Sequence, residues 1–181
     1  MNFSLNAGFP ERPSAGIAML CAMAHTRSTP RSAGRLIVVC GLPGSGKTTT
    51  ATRLATERGG IRMCPDEWMA ALDIDVFDMP ARARIEALQW HLTAELLTHG
   101  TTVIIEWGVW SRQERDELRA RTATLGVPME LILLDAPLDE LWRRIDARQR
   151  DGSWRWRPIS RDELDLWSTW FERPGDDELS G

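Results

Sequence analysis

The chain has 181 residues, a formal net charge of -4 and a sequence pI of about 5.4, which exclude a surface that attracts nucleic acid or anionic membranes as a whole. The length fits one domain with a full hydrophobic core, and no stretch approaches the ~20 apolar residues of a membrane span. The three cysteines lack the spacing of metal ligands, so we expect reduced thiols in a cytoplasmic protein.

The first 34 residues differ in composition from the rest of the chain. They are rich in Pro, Ser, Gly and Ala without sustained periodicity, which predicts an extension with little fixed structure. A short apolar run over residues 16–24 ends in Ala22-Met23-Ala24, as a signal peptide would, but it is marginal in length and weakly basic at its start. We predict an extension over residues 1–34 and one folded domain over residues 35–181.

A glycine-rich stretch fits the phosphate-binding loop pattern G-x-x-x-x-G-K-[ST] at every fixed position. An apolar, β-branched run over residues 35–40 is typical of a buried parallel strand, and residues 47–58 continue with helical spacing up to Gly59-Gly60. This strand, loop and helix are the context that the motif requires. The loop residues are Gly41, Leu42, Pro43, Gly44, Ser45, Gly46, Lys47 and Thr48.

The composition of this loop predicts a site for ATP and Mg²⁺. Its glycines let successive backbone N–H groups point inward, and the following helix adds the positive end of its dipole. We expect Lys47 to reach the β- and γ-phosphates and the hydroxyl of Thr48 to bind Mg²⁺. Thr49 continues the same motif and is included in the predicted nucleotide site.

A second predicted strand, residues 61–64, is followed by Pro65 and the acid Asp66. Ligands of open α/β sheets collect outside the carboxyl ends of the strands, so Asp66 is placed to face the γ-phosphate across the substrate gap. We predict that it is the general base. The competing interpretation is that Asp66 only caps the next helical turn.

The third predicted strand, residues 101–106, ends in Glu106. The acid that ends this kind of strand holds Mg²⁺ directly or through water, while a substrate-orienting carboxylate is the alternative role. Trp107 and Trp110 follow beside the same cleft, and Ser111 and Glu114 form a capping box for the next helix. That helix carries two cations in its first turn, which opposes its dipole and indicates that they face an anion or Glu106. These predicted substrate contacts are Arg112 and Arg115.

The fourth predicted strand, residues 130–135, leads into an arginine-rich region over residues 143–161. Arg144 and Arg148 are four residues apart and therefore share a helical face, from which they can grip the transferring phosphate. A solvated basic helix is the alternative. Trp154 and Trp156 interleave with the arginines, which indicates either stacking on a base or packing of a lid.

The order of these parts resembles small P-loop kinases of the AAA-type ATP-binding group, with relatives among zeta toxins, chloramphenicol phosphotransferase and the polynucleotide kinase domain. The resemblance covers residues 35–179 and rests on GLPGSGKTT, CPDEW, IIEWGVWSR and the L-x-x-R-I-x-x-R run that begins at Leu141. It implies a three-layer α/β sandwich with a parallel sheet in the order 2-3-1-4 and an arginine-rich helical lid. It also implies that Asp66 is the base for an acceptor hydroxyl and that Arg148 contacts the ATP phosphates.

Two departures from the family pattern stand out: Glu106 replaces the commoner Asp, and no clear fifth strand follows the lid. The predicted function is transfer of the γ-phosphate of ATP to a hydroxyl of a small molecule. A polynucleotide 5′-hydroxyl kinase is the first alternative, with a nucleic acid as partner, and a nucleotide-dependent ATPase or switch without acceptor is the second.

Overall fold

The computed structural model describes residues 34–154 and 156–179. All described strands join one parallel sheet in the order β2-β3-β1-β4, so the predicted order 2-3-1-4 is confirmed. Within the described residues the sheet has no fifth strand. The strands are β1 (Arg35–Cys40), β2 (Ile61–Met63), β3 (Thr102–Ile105) and β4 (Met129–Leu133).

Helices connect the strands and extend beyond the last one. The P-loop joins β1 to the first helix. The capping box predicted at Ser111 is present, and Ser160 and Glu163 form a second capping box. The helices are α1 (Lys47–Arg58), α2 (Pro65–Ala71), α3 (Met79–Thr98), α4 (Arg112–Thr124), α5 (Leu138–Arg150), α6 (Arg161–Trp170) and the single turn α7 (Asp176–Leu179).

The sheet is covered on both faces, as its continuous apolar strands require. Leu36 and Val38 belong to one core cluster, which extends to α3 and α4. Ile37 and Val39 point the other way and pack with Ala51 of α1. This alternation along β1 produces the predicted three-layer α/β sandwich, in which the carboxyl ends of the strands meet at one edge.

The arginine-rich region forms a separate packed layer beside the P-loop. Leu141 and Ile145 of α5 are buried together with Leu164 of α6 and Leu42 of the loop. Because these side chains pack against the loop residue Leu42, α5 and α6 lie next to the phosphate-binding loop.

Residues 1–33 of the predicted N-terminal extension lie outside the described range, so the extension stays a prediction. No helix in the described part of the chain is both long and apolar enough to cross a membrane.

Candidate active site

The loop between β1 and α1 has the backbone shape that its glycines predict. Gly44 and Gly46 have φ values of 81° and 94°, a region that side chains with a Cβ rarely occupy. A Cβ on Gly44 would also lie 2.8 Å from the carbonyl oxygen of Leu141. Glycine is therefore required here both by the backbone conformation and by the close approach of α5.

The amino end of α1 offers backbone donors that no protein side chain satisfies. Gly46 occupies the N-cap position and no side-chain cap is formed there, which leaves a helix N-terminus suited to an anion. The hydroxyl oxygen of Ser45 is buried and has no hydrogen-bond partner within the described structure. Thr48 is exposed at the first turn. These features fit the phosphates of a nucleotide, and the exposed Thr48 hydroxyl is accessible to a metal ion.

Lys47 bends across its own loop. Its Nζ donates hydrogen bonds to the carbonyl oxygens of Gly41 and Leu42 at 2.9 and 3.0 Å. Burial lowers the pKa of Lys47 to about 8, while the charges of Asp66 and Glu106 act to raise it. The site thus contains a cation that is poorly solvated and held only by neutral oxygens, and bound phosphate would stabilise its charge.

Arg148 lies in the same electrostatic environment, because its charge contributes to the lowered pKa of Lys47. Its guanidinium lies 5.3 Å from the ring centroid of Trp154. Six described arginines line the cleft, and Arg148 alone among them has no carboxylate within 4.0 Å in the described structure. The six are Arg82, Arg121, Arg143, Arg144, Arg148 and Arg157.

Arg144 has a different environment from Arg148 although both are on α5. Its Nε donates to Glu140 at 2.6 Å and its Nη1 donates to the carbonyl oxygen of Gly44 at 3.3 Å. Arg144 therefore stabilises the phosphate-binding loop through Gly44, and its charge is paired with that of Glu140. A role of Arg144 in phosphate binding stays a prediction.

Asp66 lines the cleft from the first turn of α2. The interpretation of Asp66 as a helix cap is wrong, because the N-cap position is Cys64 and no side chain caps this helix. One oxygen, Oδ1, instead accepts a hydrogen bond from Arg82 of α3. The Asp66 side chain remains 52% exposed, so it is accessible to a substrate in the cleft.

Glu106 follows β3 directly and its side chain is only 2% exposed. Its carboxylate forms an ion pair with Arg62 of β2, which also contacts Glu67. The described residues contain no group of three or more His, Cys, Asp or Glu that could hold a metal. The ligands of a Mg²⁺ ion at this site would therefore be the Thr48 hydroxyl, phosphate oxygens and water. Glu106 would act on the ion only indirectly, because its carboxylate is paired with Arg62.

The predicted substrate contacts Arg112 and Arg115 do not line the cleft, which corrects the sequence-based assignment. Arg115 is fully buried and donates to Glu178 of α7 at 2.7 Å. Arg112 pairs with Asp177 at 2.8 Å and with Asp116 at 3.3 Å. The anions that these cations face belong to the protein.

Trp107 and Trp110 line the cleft, and their contact with a substrate stays a prediction. Trp107 donates through Nε1 to the side-chain oxygen of Gln89 at 2.8 Å, and Gln89 is fully buried on α3. Trp110 lies 6.1 Å from Trp167 of α6, ring centre to ring centre. Sequence reasoning missed Gln89, although a polar residue within the apolar spacing of α3 was a signal of a buried hydrogen bond.

The lid region packs against the loop that follows α2. The guanidinium of Arg157 lies 3.9 Å from the ring centroid of Phe77, and Trp154 donates to the carbonyl oxygen of Arg157 at 2.9 Å. Trp156 packs against the buried cluster that contains Val76. Of the two interpretations of Trp154 and Trp156, the observed contacts are those of lid packing.

These elements surround one cleft of about 1810 Å³. Its lining comes from the phosphate-binding loop, from α3 and α4, and from α5 and α6. The cleft is large enough for a nucleotide and a second substrate. Lys47, Asp66 and Arg148 all line it.

The fold and the loop have counterparts among known proteins. A family model described as AAA domain matches residues 36–174. Among curated proteins, no sequence matches the chain significantly.

Solved structures resemble the whole core. A protein from Chloroflexus aurantiacus J-10-fl with a provisional assignment as a kinase has a TM-score of 0.67 at 22% identity, covering 80% of this chain and 83% of that one. The Pnkp1/Rnl/Hen1 RNA repair complex contains a chain with a TM-score of 0.66 at 23% identity, covering 79% of this chain and 45% of that one. The Mycobacterium tuberculosis APS kinase CysC, solved with AMPPNP and APS, has a TM-score of 0.54 at 21% identity, with coverages of 80% and 86%.

Proposed function

Because the chain belongs to the AAA domain family over residues 36–174, we propose that it is an ATP-dependent phosphotransferase that acts on a hydroxyl of a small molecule. The observation that carries this proposal is the convergence of Lys47, Asp66 and Arg148 on one cleft beside an uncapped helix N-terminus. Phosphoryl transfer requires a cation for the phosphates, which is Lys47, and a carboxylate for the acceptor, which is Asp66. It also requires a second cation from the arginine-rich region, which is Arg148.

ATP would lie with its phosphates over the loop from Gly41 to Thr49. Lys47 exchanges its two carbonyl partners for phosphate oxygens, and the orphan hydroxyl of Ser45 gains a partner. When bound, Mg²⁺ would neutralise charge on the phosphates, and the Thr48 hydroxyl would be its ligand from the protein. Arg148 adds a positive charge that has no carboxylate within 4.0 Å in the described structure, so this charge is available in the transition state.

The acceptor hydroxyl would lie against Asp66. Arg82 holds Oδ1 of this carboxylate, and Oδ2 has no hydrogen-bond partner within the described structure. In this proposal Oδ2 accepts the proton of the hydroxyl as the hydroxyl oxygen forms a bond to the γ-phosphorus. The bond between the γ-phosphorus and the β–γ bridging oxygen breaks in the same step, and ADP leaves. The acceptor neighbours are Trp107 and Trp110, with Glu106 orienting the acceptor or the metal's water shell.

A polynucleotide 5′-hydroxyl kinase is the alternative that the similarity to a chain of an RNA repair complex brings forward. Five of the six cleft arginines already pair with carboxylates, which leaves little free positive charge to track a strand. A switch or ATPase without acceptor is the other alternative, and it has no use for an exposed carboxylate beside the phosphate end. We also propose a cytoplasmic location, since ATP is supplied there and Cys40 and Cys64 are free thiols.

The test is a screen for compounds that accelerate ADP release from ATP and Mg²⁺. Small alcohols, nucleosides and oligonucleotide 5′ ends are supplied in parallel, and phosphorylated products are identified by mass spectrometry. A phosphorylated small alcohol is the expected result. Phosphorylation of oligonucleotide ends alone, with a steep salt dependence, identifies the polynucleotide alternative, and ATP hydrolysis that no compound changes identifies the switch.

A further inference from the structure

The lining of the cleft includes two groups of charged residues. Lys47 and Arg148 are the cations assigned to the phosphates. The second group, which we call the acceptor wall, consists of the charged cleft residues of α2, α3 and α4. These are Asp66, Arg82, Glu86, Glu114, Glu117 and Arg121.

The acceptor wall contains four carboxylates and two arginines, so it carries a net negative charge. Arg82 links Asp66 to Glu86, with a distance of 3.2 Å to Glu86, and Arg121 is 3.9 Å from Glu117. Burial raises the pKa of Glu86, and the nearby charges of Glu114 and Asp66 act in the same direction. These three carboxylates therefore act on one region, and an additional anion there would be repelled by all of them.

Aromatic side chains belong to the lining of the same cleft. Trp110 and Trp167 form a tilted pair with their planes at 48°, and Trp170 of α6 is 56% exposed although it is a large apolar residue. All three line the cleft. Indole faces bind flat apolar groups and attract cations, whereas they offer nothing to an anion.

Building on the proposed function, we infer that the acceptor is a flat, apolar hydroxyl compound without an anionic group, and that a cationic group strengthens its binding. The net negative charge of the acceptor wall also disfavours polyphosphate binding there, so that ATP binds in one orientation. Anionic acceptors such as nucleic acid ends are excluded by the same charges.

Three probes of matched shape test the inference: para-(hydroxymethyl)benzylamine, para-(hydroxymethyl)benzyl alcohol and para-(hydroxymethyl)benzoate. They share one ring and one hydroxymethyl group, and the group at the para position is positive, neutral and negative, respectively. In the neutral probe this para group is a second hydroxymethyl group. Their affinities are measured by NMR titration of the full chain with AMPPNP and Mg²⁺. We expect roughly threefold to tenfold weaker binding at each step from amine to alcohol to carboxylate at low salt.

Variants connect this order to the acceptor wall. Glu86→Gln and Glu117→Gln each remove one negative charge and should lower the ratio of amine to carboxylate affinity by roughly twofold to fivefold. Glu57→Gln makes the same charge change on α1, where Glu57 pairs with Arg53 outside the cleft, and should leave the ratio unchanged.

Equal or tighter binding of the carboxylate overturns the inference, as does the failure of all three probes to bind up to their solubility limits. An unchanged ratio in both cleft variants overturns the assignment to the acceptor wall. The proposed function fails separately: probes that bind in the expected order, in a protein that phosphorylates no hydroxyl compound, support the charge inference and contradict the phosphotransferase.

Discussion

Arg115 and Glu178, 63 residues apart, form an ion pair in which both side chains are almost completely buried. Nε of Arg115 lies 2.7 Å from one carboxylate oxygen and Nη2 lies 3.1 Å from the other. Arg115 also donates to the carbonyl oxygen of Trp110 at 3.1 Å. The pair thus fastens the C-terminal turn α7 to α4 and to the segment that carries Trp110 into the cleft.

Removing one partner of this pair should destabilise the fold strongly. Glu178→Gln leaves the buried guanidinium of Arg115 without a counter-charge, and we expect a loss of about 3–5 kcal/mol in the free energy of unfolding, measured by urea denaturation. Glu57→Gln breaks an exposed pair on α1 and should cost less than about 1 kcal/mol. Similar losses in the two variants would contradict the structural role of the buried pair.

The same pair should make stability depend on pH. Hydrogen bonds from Arg115 hold the pKa of Glu178 below its ordinary value of 4.5. A lowered pKa means that this stabilisation is present above pH 4.5 and is lost as the pH falls through the folded-state value. The difference in unfolding free energy between parent and Glu178→Gln should therefore shrink below pH 4.5, as measured by urea denaturation across an acid series.

Local patterns predicted much of the fold and the backbone shape of the glycine-rich loop. The P-loop and the capping box at Ser111 each lie within eight residues, and their geometry is fixed by their own side chains and backbone. The strand order came from the resemblance to P-loop kinases and was confirmed. Arg115 was assigned wrongly because its partner Glu178 is distant in sequence, and no local pattern specifies that pairing.

Gln89 and Arg82 show a second limit of sequence reasoning. Both lie on α3, where Gln89 shares the buried face with Ile85 and Thr93 and Arg82 is half-buried. Polar residues at such spacing indicate buried hydrogen bonds, but they do not identify the partner. Only packing of α3 against β3 and α2 reveals that Gln89 binds Trp107 and that Arg82 binds Asp66.

The hydrogen bond between Gln89 and Trp107 should contribute to stability as a pair. Gln89→Leu leaves the buried indole N–H without an acceptor, and we expect a loss of about 1–3 kcal/mol. Trp107→Phe in the Gln89→Leu background removes that orphan donor, so the double variant should lose less than the sum of the single losses. Urea denaturation of the four proteins measures this coupling, and strict additivity would contradict it.

Lys47 should govern nucleotide binding. Lys47→Ala removes the charge expected to meet the β- and γ-phosphates, so ATP affinity should fall and turnover should nearly vanish while the fold is retained. Calorimetry of ATP binding and circular dichroism measure the two effects. Unchanged affinity and near-parental turnover would show that the loop does not bind the phosphates.

Nucleotide binding by Lys47 should also depend on pH. The pKa of Lys47 is lowered to about 8 without nucleotide, and bound phosphate would raise it, so binding takes up a proton. ATP affinity should therefore be highest below pH 8 and fall as the pH rises above it. Lys47→Ala should lack this dependence, which calorimetry at several pH values can establish.

Arg148 should affect turnover more than nucleotide affinity. We expect the arginine-rich region to close over the bound substrates and to bring the charge of Arg148 to the phosphate in the transition state. Arg148→Ala is compared with Arg150→Ala, which lies on the same helix but pairs with Asp146 and is absent from the cleft lining. We expect a loss of roughly tenfold or more in kcat for Arg148→Ala and little change for Arg150→Ala. Equal kcat values in both variants and the parent would show that Arg148 is a solvated surface residue without a role in turnover.

Asp66 separates a phosphotransferase from a nucleotide switch. Its free oxygen Oδ2 can accept a proton from an acceptor hydroxyl without contact to ATP, and a positioned general base contributes a factor of ~10² to 10⁴. Asp66→Asn should lower acceptor phosphorylation by that order while ATP affinity in the presence of Mg²⁺ changes little.

A matched control makes the Asp66 experiment specific. Asp73→Asn makes the same chemical change in the exposed loop after α2, at a φ of 54° that asparagine tolerates, and should keep parental activity. Product formation with an acceptor from the screen is measured for both variants, together with acceptor-free ATP hydrolysis. An Asp66→Asn enzyme that transfers phosphate at the parental rate would contradict the base assignment. A parallel loss of ATP affinity would show instead that the carboxylate acts through the nucleotide or its metal, since a base that touches only the acceptor has no effect on ATP binding.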